Sequence, residues 1–222
     1  MNATESQIFR SRIVAVAAGA AALLLATPAA AQALRYEPQP TGSKVRIEGT
    51  STLHNWTVEG PVINGFIEAD IGFPESALTD SKAAKPNVQV LIPVEALKSF
   101  DELMDEVMQE HMDMAKYPNI EYHLGELKPE SAAGAAGPLK FVALGTLTVS
   151  GTAQPSTMTV TIERIDSTRI KIAGSTPLKM TDFGVEPPAP RILGMPTIRT
   201  GDDIKVSFEW LLVRKAAPAA KP

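Results

Sequence analysis

Cysteine is missing from all 222 residues, which removes thiol nucleophiles, thiolate metal sites and disulfides from the argument together. Histidine is nearly as scarce. The three present, His54, His111 and His123, never recur at the short spacings that put two imidazoles on one face of a strand or helix, so a zinc site would need ligands from distant parts of the chain. Aromatic residues make up only 5%. Charge of one sign is not dominant either: 21 Lys and Arg stand against 25 Asp and Glu, a net charge of −4. Nucleic acid requires a basic footprint, and none is present. The phosphate-cradling, dinucleotide and nucleophile-elbow patterns of glycine-rich loops are absent. Ser51 and His54 sit three residues apart, too local for a catalytic triad, so a hydrolase is a poor fit. Long hydrophobic runs are lacking too. The longest uncharged apolar stretch, Ile13 to Ala26, has 14 residues, short of the ~20 needed to span a bilayer as a helix.

That stretch has a different meaning in its setting. Arg10 and Arg12 precede it, and Pro28-Ala29-Ala30-Ala31 follows it, the order of basic region, apolar region and small-residue cleavage site that defines an export signal. Residues 1–31 are therefore expected to be removed, leaving a mature chain that begins near Gln32. Arg10, Arg12 and Glu5 leave with the signal, so 19 of the 21 basic and 24 of the 25 acidic residues remain, a formal charge of −5. One domain, residues 32–215, can bury a real core without staples. The Ala/Pro/Lys tail at 216–222 reads as disordered.

Through most of that domain, apolar and polar residues alternate with period two, as in strands with one buried face. Val45 and Ile47 begin the pattern. Val58, Val62 and Phe66 continue it in a segment interrupted by Gly60, Pro61 and Gly65, where a bulge or bend is expected. Val88, Val90, Ile92 and Val94 follow, then Ile120, Tyr122 and Leu124, then Phe141, Ala143, Leu147 and Val149, then Met158, Val160 and Ile162. Ile170, Ile172 and Leu178 read as a pair of segments. The run Ile204, Val206, Phe208, Trp210, Leu212 is the cleanest alternation of all. Gly72 to Pro86, Ser131 to Pro138 and Glu186 to Pro196 carry loop signals.

Only one segment changes period. Between about 99 and 114, Leu103, Met104, Val107, Met108 and Met112 recur at three- and four-residue spacing with acidic residues between them, which predicts one amphipathic helix. Ser99 or Asp101 can cap it and Pro118 closes it. About eight strands joined mostly by short loops, with one helix inserted, suit an antiparallel barrel or a sandwich. The barrel is preferred because it leaves no free edge and can hold one small apolar ligand.

Two clusters bear on function. Met104, Met108, His111, Met112 and Met114 crowd the helix, and thioethers favour Cu(I); copper handling is the alternative reading. The same methionine spacing is also how a helix offers a pliable apolar stripe to a core or a lipid, and this reading is favoured. In Ser51-Thr52-Leu53-His54-Asn55-Trp56, Trp56 could close a cavity mouth and His54 meet a head group. Equally, Trp56 could plug a barrel end while His54 satisfies loop carbonyls. Asn55-Trp56-Thr57 also matches a glycosylation acceptor, a pattern common by chance.

The chain resembles the YceI-like proteins, a bacterial periplasmic family that binds lipids and polyisoprenoids, from about Tyr36 to Val213. The resemblance rests on the order of several segments: Ser51-Thr52-Leu53-His54-Asn55-Trp56-Thr57-Val58, the helix leading into Met114-Ala115-Lys116-Tyr117-Pro118-Asn119-Ile120, and Gly145-Thr146-Leu147-Thr148-Val149-Ser150-Gly151-Thr152. Two more follow, Pro177-Leu178-Lys179-Met180-Thr181-Asp182-Phe183-Gly184-Val185 and Gly201-Asp202-Asp203-Ile204-Lys205-Val206-Ser207-Phe208. It implies a mainly β, eight-stranded, extended lipocalin-like barrel with an elongated apolar cavity, no catalytic residues, and an isoprenoid lipid or quinone as ligand. The expectation is a periplasmic monomer or homodimer without cofactor, metal or stable membrane insertion. Trp56, Val58, Phe66, Val107, Met108, Phe141, Phe183, Phe208 and Trp210 are the expected cavity lining; His54, Asn55 and Lys179 are the candidate head-group contacts. Strand parity decides which of these point inward, and alternation alone does not give its sign.

Overall fold

A computed structural model describes residues 34–80, 84–189, 191–192, 195–196 and 198–215. The expected leader and tail lie outside them. The strands are β1 (Leu34–Pro38), β2 (Lys44–Ser51), β3 (Asn55–Gly60), β4 (Asn64–Ala69), β5 (Asn87–Pro93), β6 (Asn119–Pro129), β7 (Leu139–Val149), β8 (Thr152–Arg164), β9 (Arg169–Lys179), the two-residue β10 (Arg191–Ile192) and β11 (Met195–Pro196), and β12 (Thr200–Arg214); the helix α1 is Glu102–His111. Among the described residues no helix is long and apolar enough to cross a membrane.

Eight strands close a ring in the order β1-β4-β5-β6-β7-β8-β9-β12, with β12 returning to β1, and every pairing is antiparallel. The expected eight-stranded barrel is therefore present, and the sandwich is not. One edge of β12 is divided between two partners. Its last residues pair with β1, Leu212 to Arg214 opposite Pro38 to Tyr36, whereas Thr200 to Glu209 pair with β2, which carries β3 as a hairpin. Beyond β2, β3 is tied at Glu59, whose N–H and C=O exchange hydrogen bonds with Lys98, each 2.8 Å. The chain between β5 and β6, which contains α1, covers the lumen on this side; Val94 N–H donates to the Pro118 carbonyl at 2.9 Å and closes the base of the excursion.

Two expectations about segmentation need correction. Residues 58–66 are two strands joined through Pro61, not one bent strand. Gly65 has φ +118°, and a Cβ there would fall 1.9 Å from the Gln89 carbonyl oxygen, so only glycine permits β4 to lie this close to β5. Conversely, Ile170 to Leu178 belong to the single strand β9. The loop reading of 72–86 also misses a short helical turn at Glu75–Leu78.

The barrel is packed solid at one end. Tyr36, Ile67, Phe73, Phe141, Ile170, Trp210 and Leu212 are each at most 2% exposed and form one apolar cluster. Complete burial of each such side chain contributes about 1.5–3 kcal/mol. The Trp210 indole N–H donates to the Ile63 carbonyl at 3.0 Å, which spares that buried donor the cost of having no partner.

Candidate functional site

Above this floor the same inward faces enclose a space instead of meeting. The cavity measures about 470 Å³, within the roughly 300–1,000 Å³ of small-molecule sites. Its wall is made of alternate residues along the strands: Val45 and Ile47 on β2, Trp56 and Val58 on β3, Ile120, Tyr122 and Leu124 on β6, Leu147 and Val149 on β7, Met158 and Val160 on β8, and Ile204, Val206 and Phe208 on β12. Phe73, Ile162, Ile172 and Trp210 form its base. Neither lysine nor arginine occurs among the described lining residues.

Helix α1 completes the wall. Leu103, Met104, Val107, Met108 and His111 all face the cavity, as their helical spacing requires. The helix is fixed at its start by Asp101, whose carboxylate accepts from the N–H groups of Leu103 (3.0 Å) and Met104 (3.2 Å), the ordinary N-cap arrangement. Asp105 makes the second attachment. Its side chain is nearly buried and accepts from both the N–H and the hydroxyl of Ser99 at 2.7 Å, with Lys98 Nζ 3.6 Å away. Burial by itself would raise the Asp105 pKa, but the Ser99 hydrogen bonds and the Lys98 charge outweigh it, and the carboxyl titrates below its ordinary value.

The mouth is built from the β2–β3 turn, the start of α1 and the chain after β9. Ser51, His54, Asp101, Met180, Val185, Pro188, Ile198 and Thr200 all contribute. The stretch after β9 is held there by backbone hydrogen bonds from Thr200 N–H to the Pro188 carbonyl (3.1 Å) and from Thr52 N–H to the Arg199 carbonyl (2.9 Å). The other long loop, 131–138, does not line the cavity.

Of the nine residues expected to line the cavity, Trp56, Val58, Val107, Met108, Phe183, Phe208 and Trp210 do so. Two do not. Phe66 has the opposite parity to fully buried Ile67, and its ring lies outside beneath Arg35, whose guanidinium carbon is 3.9 Å from the ring centroid. Glu37 (3.0 Å) and Glu68 (2.6 Å) pin that guanidinium in place, so the ring is shielded by cation–π contact without turning inward. Phe141 does point inward but is wholly buried in the packed floor, below the cavity. Among the head-group candidates, His54 is at the mouth. Asn55 lies outside the lining, and Lys179 is on the outer face, paired with Asp203 at 2.8 Å.

Trp56 is part of the cavity wall. It stands opposite Gly49, where a Cβ would lie 2.2 Å from the indole Cζ2; the ring is laid flat on the wall, and its N–H donates to the Thr50 carbonyl at 3.1 Å. The methionine cluster is divided in its surroundings. Met104, Met108, His111 and Met112 are wall residues and Met114 is not; His111 Nδ1 donates to the Glu186 carbonyl at 2.9 Å. Sequence reasoning overlooked Ile120, Tyr122, Leu124, Leu147, Met158 and Val206 as lining, although each belonged to a period-two set and parity alone was needed to assign it.

Comparison with known proteins agrees with this architecture. The sequence model of the YceI-like domain matches residues 36–211. Among solved structures, Burkholderia cenocepacia BcnA superposes with a TM-score of 0.58 at 19% identity, over 76% of this chain and 95% of that one. A polyisoprenoid binding domain from Saccharophagus degradans, implicated in plant cell wall breakdown, gives 0.60 at 16% identity over 82% and 99%. A mutant of the Campylobacter jejuni YCEI protein gives 0.51 at 17% over 72% and 85%. No curated protein matches the chain. With the domain model covering most of the chain and the closed barrel present, this protein belongs to the YceI-like domain family.

Proposed function

We propose that this protein binds a long-chain amphiphile, a polyisoprenoid or isoprenoid quinone, with the apolar tail inside the barrel, and that it does so in the periplasm after export through the leader at 1–31. The observation that carries the reading is the lumen of about 470 Å³ with an apolar wall and an open mouth above a solid floor. Each methylene moved from water into such a space contributes ~0.8 kcal/mol, enough over several prenyl units to offset the entropy of ordering the chain. No charged anchor is needed for that gain. The polyisoprenoid-binding domain among the structural neighbours supports the same ligand class, and binding, not catalysis, is the role proposed.

Native mass spectrometry of the exported protein, followed by organic extraction, tests the reading. A co-purified prenyl lipid or quinone, one per chain, is the expected result. Stoichiometric copper with no lipid would replace it with metal handling by the methionine face of α1. Protein that is empty, and stays empty when incubated with prenyl lipids, would overturn it.

A further inference from the structure

Five large apolar side chains stand exposed among the described residues: Leu53 at 69%, Phe100 at 88%, Leu103 at 70%, Ile71 and Ile165. Ile71 follows β4 and Ile165 follows β8, both at the packed end of the barrel. The other three belong to the mouth. Leu53 lies in the β2–β3 turn between Ser51 and His54, which both line the opening, and Phe100 immediately precedes Asp101, which lines it too. Leu103 is itself a lining residue. It is therefore part of the exterior and of the cavity wall at once, and through it the apolar rim continues into the lumen.

Phe100 is held outward by its backbone. Its φ is +68°, a left-handed conformation that glycine and asparagine adopt readily and a bulky side chain does not. Both neighbours fix it there. Ser99 donates its N–H and its hydroxyl to the Asp105 carboxylate at 2.7 Å each, and the Asp101 N–H donates to Ser99 Oγ at 3.2 Å. An aromatic ring kept in a strained turn and left in water weakens the fold on both counts, which points to a use outside it.

We propose that Leu53, Phe100 and Leu103 form a docking rim that dips reversibly into the surface of a zwitterionic phospholipid bilayer, so that the amphiphile passes between bilayer and lumen without crossing water. This rests on the ligand reading above. Each methylene exposed to water lowers the free concentration of such a chain about fourfold, so its source is a lipid phase, and the mouth has to meet that phase. A second copy or another protein seated on the rim would instead shut the opening that the ligand uses. Charge favours a net-neutral surface over an anionic one. The exposed side of α1 carries Glu102, Glu106 and Glu110, and neither lysine nor arginine is among the described lining residues, so anionic headgroups would be repelled. The contact is peripheral and grows with the apolar area that the rim buries.

Flotation of the lipid-free protein with phosphatidylcholine vesicles tests the docking without any cargo, and transfer of a prenyl benzoquinone from the same vesicles tests its use. Two variants remove rim side chains that lie outside the cavity lining, Leu53→Ser and Phe100→Asn. Asparagine also suits φ +68°, and a thermal melt verifies that both variants are folded. The wild type is expected to float with the vesicles. Phe100→Asn should lower that partition about tenfold, and Leu53→Ser should act in the same direction. Transfer from vesicles should slow by a similar factor, while the same quinone delivered in detergent micelles binds with wild-type affinity. In Phe100→Trp, brominated acyl chains should quench emission beyond the quenching seen in the wild type. Wild type that takes up quinone from micelles yet does not float, or variants that float as well as it does, would overturn the docking and leave lipid binding standing. So would partition that requires added phosphatidylglycerol, or a wild-type dimer that Phe100→Asn dissociates. Failure to take up quinone from either source would overturn the ligand reading and this inference together.

Discussion

Gly174 on β9 and Phe208 on β12 are register partners, and the Phe208 ring occupies the place where a side chain at Gly174 would be: a Cβ there would lie 2.9 Å from the ring's Cζ. With Trp56 over Gly49 and Tyr122 over Gly145, this makes three lumen-facing rings set against glycines of a neighbouring strand. Each ring thereby becomes part of the wall surface. Cross-strand aromatic cover of glycine also stabilises the sheet at the positions where glycine would weaken it.

Gly174→Ala is expected to displace the Phe208 ring and to crowd Val160, whose Cγ1 would lie 3.1 Å from the added Cβ. Overpacking of this kind costs about 1–3 kcal/mol. Chemical denaturation should show a fall in that range, and extraction should show less or shorter lipid retained per chain. Unchanged stability and unchanged retention would mean that the ring moves freely and does not define the cavity.

Met108→Lys places a charge on the cavity face of α1. Retained lipid should fall several-fold, measured by mass analysis of the extract, while secretion is expected to stay intact because the substitution lies outside the proposed leader. Retention equal to the wild type would remove the helix from the binding surface.

Asp105 gives the helix a dependence on pH. Its carboxyl has a lower pKa in the folded chain than the ordinary value of 3.8, so the ionised form favours folding. That contribution is complete above about pH 5 and disappears as the pH falls through the folded-state value. Asp105→Ala should cost about 1–3 kcal/mol at pH 7, and the difference between variant and wild type should shrink when urea unfolding is repeated near pH 3. A difference that does not change with pH would show that the Ser99 and Lys98 contacts do not depend on the charge.

Much of this was legible from residue order, because a barrel wall with one wet face writes its period into the chain. Ile204 to Leu212 and the single helical stripe from Leu103 to Met112 needed nothing more. What escaped the sequence was decided by residues far away. Phe66 looks like any inward aromatic until Arg35, held by Glu37 and Glu68, is seen to cover it. Phe141 obeys the right parity at the wrong height, and height along a barrel is set by strand register, which alternation does not encode.

The divided edge of β12 separates the molecule's two duties. Around the floor, β1 fastens the ring through Leu212 to Arg214; above it, the β2–β3 hairpin is fastened to the length from Thr200 to Glu209, to Arg199 through Thr52 and to Lys98 through Glu59. One strand thus serves both as the seam that shuts the base and as the support for the hairpin that walls the chamber above it.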